Sequence, residues 1–240
     1  MAAAIMLTLV ICPLILLCFW LPERTLRRMG YLWVGPVIWL IKHVLGINYE
    51  LSGRENIVAP AVILCKHQSA LETVILQEIF PDLLFVWKRE LGLIPLFGWA
   101  LALMPMISIN RGAGKDALNQ LVKQGRLRLS QGYSVAVFPE GTRVAPGNKR
   151  RYKIGGAYLA VDAGVPILPI ALNSGEVWGR NALLKRPGKV IIRIGPPIDT
   201  NGITAEEANA RTERWIEAEM RSISPQLYPN AHDCQRHPQG

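Results

Sequence analysis

The sequence predicts an α/β domain, a mixed sheet flanked by helices, carried behind an N-terminal membrane-associated helical segment. Three observations carry that prediction. The first 21 residues hold no charged side chain, short β-branched runs alternate with amphipathic segments from Tyr49 onward, and no repeat or low-complexity linker divides the chain. With 240 residues, half of them hydrophobic, and a mean hydropathy of +0.20, the chain can bury one sizeable core and is excluded from the disordered class. Its 27 Lys and Arg against 18 Asp and Glu leave a net charge of +9, which calls for an anionic partner: nucleic acid, a phosphorylated ligand or lipid headgroups.

Residues 1–21 are interrupted only by Thr8 and Pro13 and, as a helix, would reach roughly 30 Å, the thickness of a hydrocarbon core. No Lys or Arg precedes the apolar run and no small-x-small site follows it, so a transmembrane anchor is expected rather than a cleaved signal. Arg24, Arg27 and Arg28 place the following chain on the cytoplasmic side, with the N-terminus outward if the segment spans. A second apolar stretch, 31–49, is broken by Gly35 and Pro36 and carries Lys42 and His43. It reads as re-entrant or interfacial, with a buried core helix as the alternative. The resulting division is 1–49 as membrane helices, 50–222 as the main domain and 223–240 as a loose tail.

Within the main domain, continuously apolar runs predict buried strands at Ala61–Cys65, Leu83–Trp87, Met106–Ile109, Ser134–Phe138, Ile167–Leu172 and Val190–Ile194. Between them, 114–130 has helical apolar spacing and ends near Gly132, a suitable C-terminal glycine. The segment 203–223 opens with Thr204-x-x-Glu207, a capping-box pattern, and reads as a closing helix.

The chemistry concentrates at two strand ends. Of four histidines, His43 lies in the second apolar stretch and His232 and His237 in the tail, so only His67 follows a core strand, where α/β folds place their sites. Five positions separate it from Glu72, about 140° around a continuous helix, so the two meet only if the helix starts between them. Ser69-x-x-Glu72 has capping-box spacing, which leaves His67 outside the helix and free to turn toward the Glu72 carboxylate. The same spacing fits a Glu72 that only caps and a His67 that is an ordinary loop residue.

The second constellation, Phe138-Pro139-Glu140-Gly141-Thr142-Arg143, follows the strand at 134–138. Arg143 can grip a phosphate through two parallel hydrogen bonds, and Gly141 lets backbone amides approach an anion closely. From Lys123 to Lys153 eight basic residues face Glu140 alone, a net +7 of the chain's +9. Part of this is expected to be a solvated helix face, while Lys149–Lys153 could rest on anionic lipid. Arg111, after the strand at 106–109, is a third cation at a strand end.

Other motifs fail. Gly112-Ala113-Gly114-Lys115 lacks the upstream glycine and the Ser or Thr of a P-loop, and no Gly-x-Ser-x-Gly elbow or metal-ligand spacing occurs, so no cofactor is called for. Cysteines 12, 18, 65 and 234 show no paired spacing; Cys65 could in principle act as a nucleophile beside His67, but its apolar run predicts an inert core thiol. A nucleic-acid partner is disfavoured because the basic residues form no recognisable module.

These blocks together resemble the glycerophospholipid acyltransferase family, and within it the bacterial 1-acyl-sn-glycerol-3-phosphate acyltransferases. His67…Glu72 is similar to the family's His-x4-Asp block, Ile107–Arg111 to the block with a phosphate-binding Arg, Phe138–Arg143 to Phe-Pro-Glu-Gly-Thr-Arg, and Val165–Ala171 to the proline-containing fourth block. Lys88, ahead of Pro95–Gly98, resembles a basic position before a Pro-x-x-Gly turn. Glu72 departs from the family's Asp by one methylene.

The resemblance implies acyl transfer from acyl-CoA or acyl-carrier protein to the sn-2 hydroxyl of lysophosphatidic acid, giving phosphatidic acid, with His67 as base and Glu72 as its orienting acid. It further implies Arg143, Arg111 and Lys88 on the acceptor phosphate, and Glu140, Gly141 and Thr142 lining the binding loop, with Glu140 bonding the glycerol or holding Arg143. Membrane lipid as a partner, the bacterial inner membrane as location and a cytoplasm-facing domain follow from the same likeness. A related acyltransferase with another acceptor, such as glycerol-3-phosphate, matches these blocks equally. A membrane-tethered anion-binding protein without catalysis has the same basic surface but no need of His67 and its acid.

Overall fold

A computed structural model describes residues 2–228 apart from 111, 181 and 183. Candidate residues Arg111, His232, His237 and Cys234 therefore lie outside the described residues.

Three helices precede the sheet: α1 (Ala2–Leu17), α2 (Glu23–Met29) and α3 (Tyr31–His43). The charge-free run is thus a helix of 16 residues with Pro13 inside it, about 24 Å long at 1.5 Å per residue. No helix among the described residues is long and apolar enough to cross a membrane. The crossing expected over 1–21 is accordingly not formed as one helix, because the chain turns after Leu17 and Pro22 starts α2. In α3 the residues Val34, Val37, Ile38 and Ile41 are buried, a stripe at helical spacing packed on the domain core, while Leu32 and Trp39 on the outer side are exposed.

The main domain is a seven-stranded sheet in the order β1-β7-β6-β2-β5-β3-β4, formed by β1 (Ile47–Ser52), β2 (Val62–Cys65), β3 (Leu83–Lys88), β4 (Ile107–Ile109), β5 (Ser134–Val137), β6 (Ile167–Leu172) and β7 (Gly188–Ile194). All pairs are parallel except β6 with β7, so the sheet is mixed, as expected. The expected strands occur within a residue or two. β1 was not among them: Ile47-Asn-Tyr-Glu-Leu-Ser alternates in and out, but its start lies within the stretch read as membrane-associated, and the boundary at 49/50 cuts this strand.

Helices cover both faces. Alternate residues of β2 divide the core: Ile63 and Cys65 join α3 and α4 (Leu71–Ile79), whereas Val62 and Leu64 join α6 (Lys115–Ser130) and α7 (Gly155–Ala163). α9 (Ala205–Ile223) lies against β6 and α7, and its Thr204 side chain accepts the Glu207 N–H at 3.2 Å, as the capping pattern predicts. Gly132, just past α6, takes φ +87°, the left-handed turn a C-terminal glycine supplies. Residues 223–228, expected to begin a loose tail, are packed instead: Ser224 and Tyr228 are buried against α9 and the loop after β2.

Candidate active site

His67 leaves the sheet directly after β2, and Phe138 directly after the neighbouring β5, so parallel pairing of these strands sets the two loops side by side. The imidazole stacks on the Phe138 ring with centroids 3.8 Å apart and planes 13° apart. Its Nδ1 stands 3.4 Å from Glu72 Oε2, close but not a formed hydrogen bond, and the His67 side chain is 13% exposed. With Nδ1 toward Glu72, Nε2 on the far edge of the ring is left for the cavity that His67 lines.

Glu72 is buried and strongly held. Its carboxylate accepts the backbone N–H of Gln68 at 2.9 Å, that of Ser69 at 2.7 and 3.0 Å, and the hydroxyl of Ser174. The capping pattern forms in altered register: α4 starts at Leu71, and the Ser69 hydroxyl accepts the Leu71 N–H at 3.1 Å. Glu72 therefore both caps and faces His67, and its carboxylate is held by these three donors.

Glu140 turns inward. Fully buried, it accepts the His67 backbone N–H at 2.8 Å and pairs with the Lys66 ammonium at 2.8 Å. The expectation that Glu140 bonds a ligand or holds Arg143 gives way to this arrangement, since both of its oxygens are directed into the protein. Lys66 also pairs at 2.7 Å with Glu217 of α9, whose Oε1 accepts the Tyr152 hydroxyl at 3.1 Å. Burial by itself lowers the Lys66 pKa, but Glu140 and Glu217 outweigh it and hold the ammonium above its ordinary value. Burial pushes the Glu140 carboxyl up against the pull of Lys66. Both shifts follow from two carboxylates sharing one cation in a dry site.

The loop of Gly141, Thr142 and Arg143 crosses beyond Glu140. Gly141 has φ +69°, a left-handed conformation that favours glycine, and a Cβ there would stand 2.9 Å from the movable end of the Lys153 side chain. Arg143 donates to the Arg180 carbonyl at 3.3 Å, and Lys88 at the end of β3 pairs with Glu90 at 3.2 Å, both half exposed. His67, Lys88, Thr142, Arg143 and Arg180 are among the residues lining a cavity of about 660 Å³. Elsewhere its wall is largely apolar, with Ile11 and Ile15 of α1, Val34 of α3, Phe85 of β3, and Ala100 and Leu101 of α5 (Phe97–Leu103), although Thr8, Arg27, Thr73 and Gln77 also line it. Leu93, Ile94 and Trp99 beside it are exposed. Gly98 closes the turn from Pro95, where a Cβ would meet the Leu91 carbonyl at 2.3 Å.

Cys65 is fully buried, and burial, with the Glu72 and Glu140 charges, pushes its thiol well above the usual range, as expected of an inert core cysteine. No three His, Cys, Asp or Glu side chains among the described residues are arranged to hold a metal ion. Sequence reasoning missed Lys66, Glu217, Gln68 and Ser174. Only the charge of Lys66 directly after a predicted core strand could have signalled one of them, because a buried lysine needs a partner.

The arrangement puts a positioned imidazole between a cationic rim and an apolar hollow, which suits proton removal from a hydroxyl on a molecule with an anionic head and a greasy body. Residues 48–173 match the acyltransferase family model. The chain is 46% identical over 197 residues to the 1-acyl-sn-glycerol-3-phosphate acyltransferase of Pseudomonas aeruginosa, covering 80% of this chain and 77% of that protein. It is 31% identical to the alpha form of the mouse enzyme of that name, over 83% of this chain and 72% of the relative. Its fold resembles the crystal structure of the 1-acyl-sn-glycerophosphate acyltransferase PlsC of Thermotoga maritima, with TM-score 0.70, 22% identity and 88% of each chain covered.

Proposed function

The chain belongs to the acyltransferase family, and from that premise we propose that it transfers an acyl group from acyl-CoA or acyl-carrier protein to the sn-2 hydroxyl of lysophosphatidic acid, giving phosphatidic acid for phospholipid synthesis. The observation that carries this reading is one cavity in which His67 sits between cationic and apolar walls.

A thioester needs no enzyme nucleophile, because its leaving thiol has a pKa of about 8.5. His67 Nε2 takes the proton of the acceptor hydroxyl as its oxygen attacks the thioester carbonyl. The carbon–sulfur bond then breaks, and the departing thiolate recovers the proton from the imidazolium. Glu72, opposite Nδ1, orients the ring and stabilises its charge while the proton is held. Stacking on Phe138 fixes the ring plane. Arg143 and Lys88, with Arg111 as a further ligand outside the described residues, hold the acceptor phosphate, and Gly141 and Thr142 shape the loop beneath it. The apolar wall takes an acyl chain. Base catalysis of this kind contributes about 10²–10⁴-fold, and positioning more.

Residues 1–49 attach the enzyme to the bilayer surface. Ile5, Met6, Leu9 and Val10 on α1, together with Phe19, Trp20, Leu93 and Trp99, form exposed apolar surface around the cavity's walls, and the exposed Arg24 and Arg28 follow at headgroup depth. In a bacterial inner membrane the domain of residues 50–222 faces the cytoplasm, where its donors reside.

An acceptor panel assayed with purified protein and one long-chain acyl-CoA tests the reading. Lysophosphatidic acid is expected to be preferred over glycerol-3-phosphate and over lysolipids without a terminal phosphate; preference for glycerol-3-phosphate would replace the acceptor.

A further inference from the structure

We propose that this protein has a second anion-binding site, at the end of the sheet away from His67, where Arg24, Arg27, Arg28 and Tyr133 hold a phosphate group. The His67 cavity opens at the C-terminal ends of β2, β3 and β5, whereas this pocket lies at the N-terminal ends of β3 and β5, between α2 and the turn after α6. It measures about 80 Å³, room for two or three waters at roughly 30 Å³ each or for one tetrahedral oxyanion.

Its walls are donors with capacity to spare. Arg27 is 2% exposed; its Nε and Nη2 donate to the Leu83 carbonyl at 3.3 and 2.9 Å, but its Nη1 is buried with no partner among the described residues. Tyr133, 4% exposed, has a hydroxyl that is likewise buried and unpartnered. Two residues of this small lining thus each carry a buried donor without a partner, which is rare in a folded protein, where such groups are paired or meet a bound molecule. Arg24 lies with its guanidinium 5.4 Å from the Tyr133 ring centre and donates to the Gln131 carbonyl at 2.6 Å, while Arg28 stands at the rim. Asp82 is the one carboxylate in the lining, so three cations outnumber it. Burial lowers the Arg27 pKa, with Tyr31, Asp82 and Tyr133 opposing, which marks a buried cation short of counter-charge.

The chemistry named is a phosphate group with at least two free oxygens, matched to guanidinium forks and a phenol. It can come from free phosphate or from an anionic phospholipid headgroup; the latter source rests on the membrane-surface reading of residues 1–49. Arg27 also lines the main cavity, so an occupant braces the wall between the two sites.

The test uses the full chain in neutral detergent, carrying Arg143→Ala so that the cavity's own phosphate ligand is removed, and follows Tm during titration with inorganic phosphate against chloride at matched ionic strength. In parallel, the same protein is placed in phosphatidylcholine nanodiscs with and without phosphatidylglycerol. A saturable rise in Tm beyond that with chloride is expected, and Arg28→Gln should weaken it roughly tenfold. Tyr133→Phe removes only a hydroxyl without a partner, leaves the fold intact and should weaken the response as well. A response to phosphatidylglycerol but not to inorganic phosphate assigns the headgroup, and one to inorganic phosphate alone assigns the free ion. An equal rise in the variants, or no rise with either probe, overturns the site. Acyl transfer is not the readout, so failure here leaves the proposed reaction standing, and failure of the acceptor panel leaves this site standing.

Discussion

Glu140 joins two residues that are neighbours in sequence: one oxygen lies 2.8 Å from the Lys66 ammonium and the other accepts the His67 backbone N–H at 2.8 Å. The loop carrying His67 is thereby hung from a buried charge cluster whose third member, Glu217, arrives from α9. This cluster governs how stability should depend on pH. Lys66 has a raised pKa in the fold, so its contribution is present below the unfolded lysine value and is lost only as pH rises through the higher folded value. At neutral pH it is fully expressed.

Lys66→Met reverses that dependence. Two buried carboxylates then lack their cation, and removing one partner of a buried pair costs about 3–5 kcal/mol. Burial already raises Glu140, and without Lys66 its folded pKa rises further, so stability is lost as pH climbs from the unfolded value near 4.3 through the folded one. Thermal melts of the variant should give a higher Tm at pH 5 than at pH 8. A Tm that falls on acidification would show that the carboxylates do not carry the charge described.

For His67→Ala, acyl transfer should drop by at least about 10²-fold while far-UV circular dichroism and membrane attachment persist, because the ring is partly exposed and its backbone hydrogen bonds remain. Turnover near that of the native chain would remove His67 from the mechanism.

With Arg143→Ala the KM for the acceptor should rise by about 10–100-fold, the equivalent of about 1.5–3 kcal/mol for a charged hydrogen bond, with the KM for the donor little changed. Initial rates over both substrates separate the two. Lost donor binding with an unaltered acceptor KM would move Arg143 to the donor side.

Cys65→Ala should retain activity. The thiol is fully buried and held protonated by burial and the nearby carboxylates, so it offers no thiolate for acyl capture. An acyl-cysteine trapped in the native protein and identified by mass spectrometry would revive the covalent route.

The sheet was legible because buried parallel strands read as unbroken apolar runs, and Ile167–Leu172 needed no adjustment at all. His67 was reachable because it alone among four histidines follows a core strand. β1 escaped since Ile47, Tyr49 and Leu51 extend an apolar stretch already assigned to the membrane, although their alternation with Asn48, Glu50 and Ser52 was present. The inward turn of Glu140 was not legible: its partner Lys66 is 74 positions away, and Lys66 meets Glu217 across 151. Ser174, 102 positions from Glu72, carries no local sign of that contact. Pairings at such separation are created by the order of strands, which no window along the chain contains.

Ile11 and Ile15 of α1 and Val34 of α3 line the same hollow as His67. The segment that would hold the protein to lipid is therefore also part of its vessel. Shortening the chain to obtain a freely dissolving fragment would breach that vessel, leaving the imidazole and arginine in place beside an open trough, with the head of a lipid still recognised and its tail no longer contained.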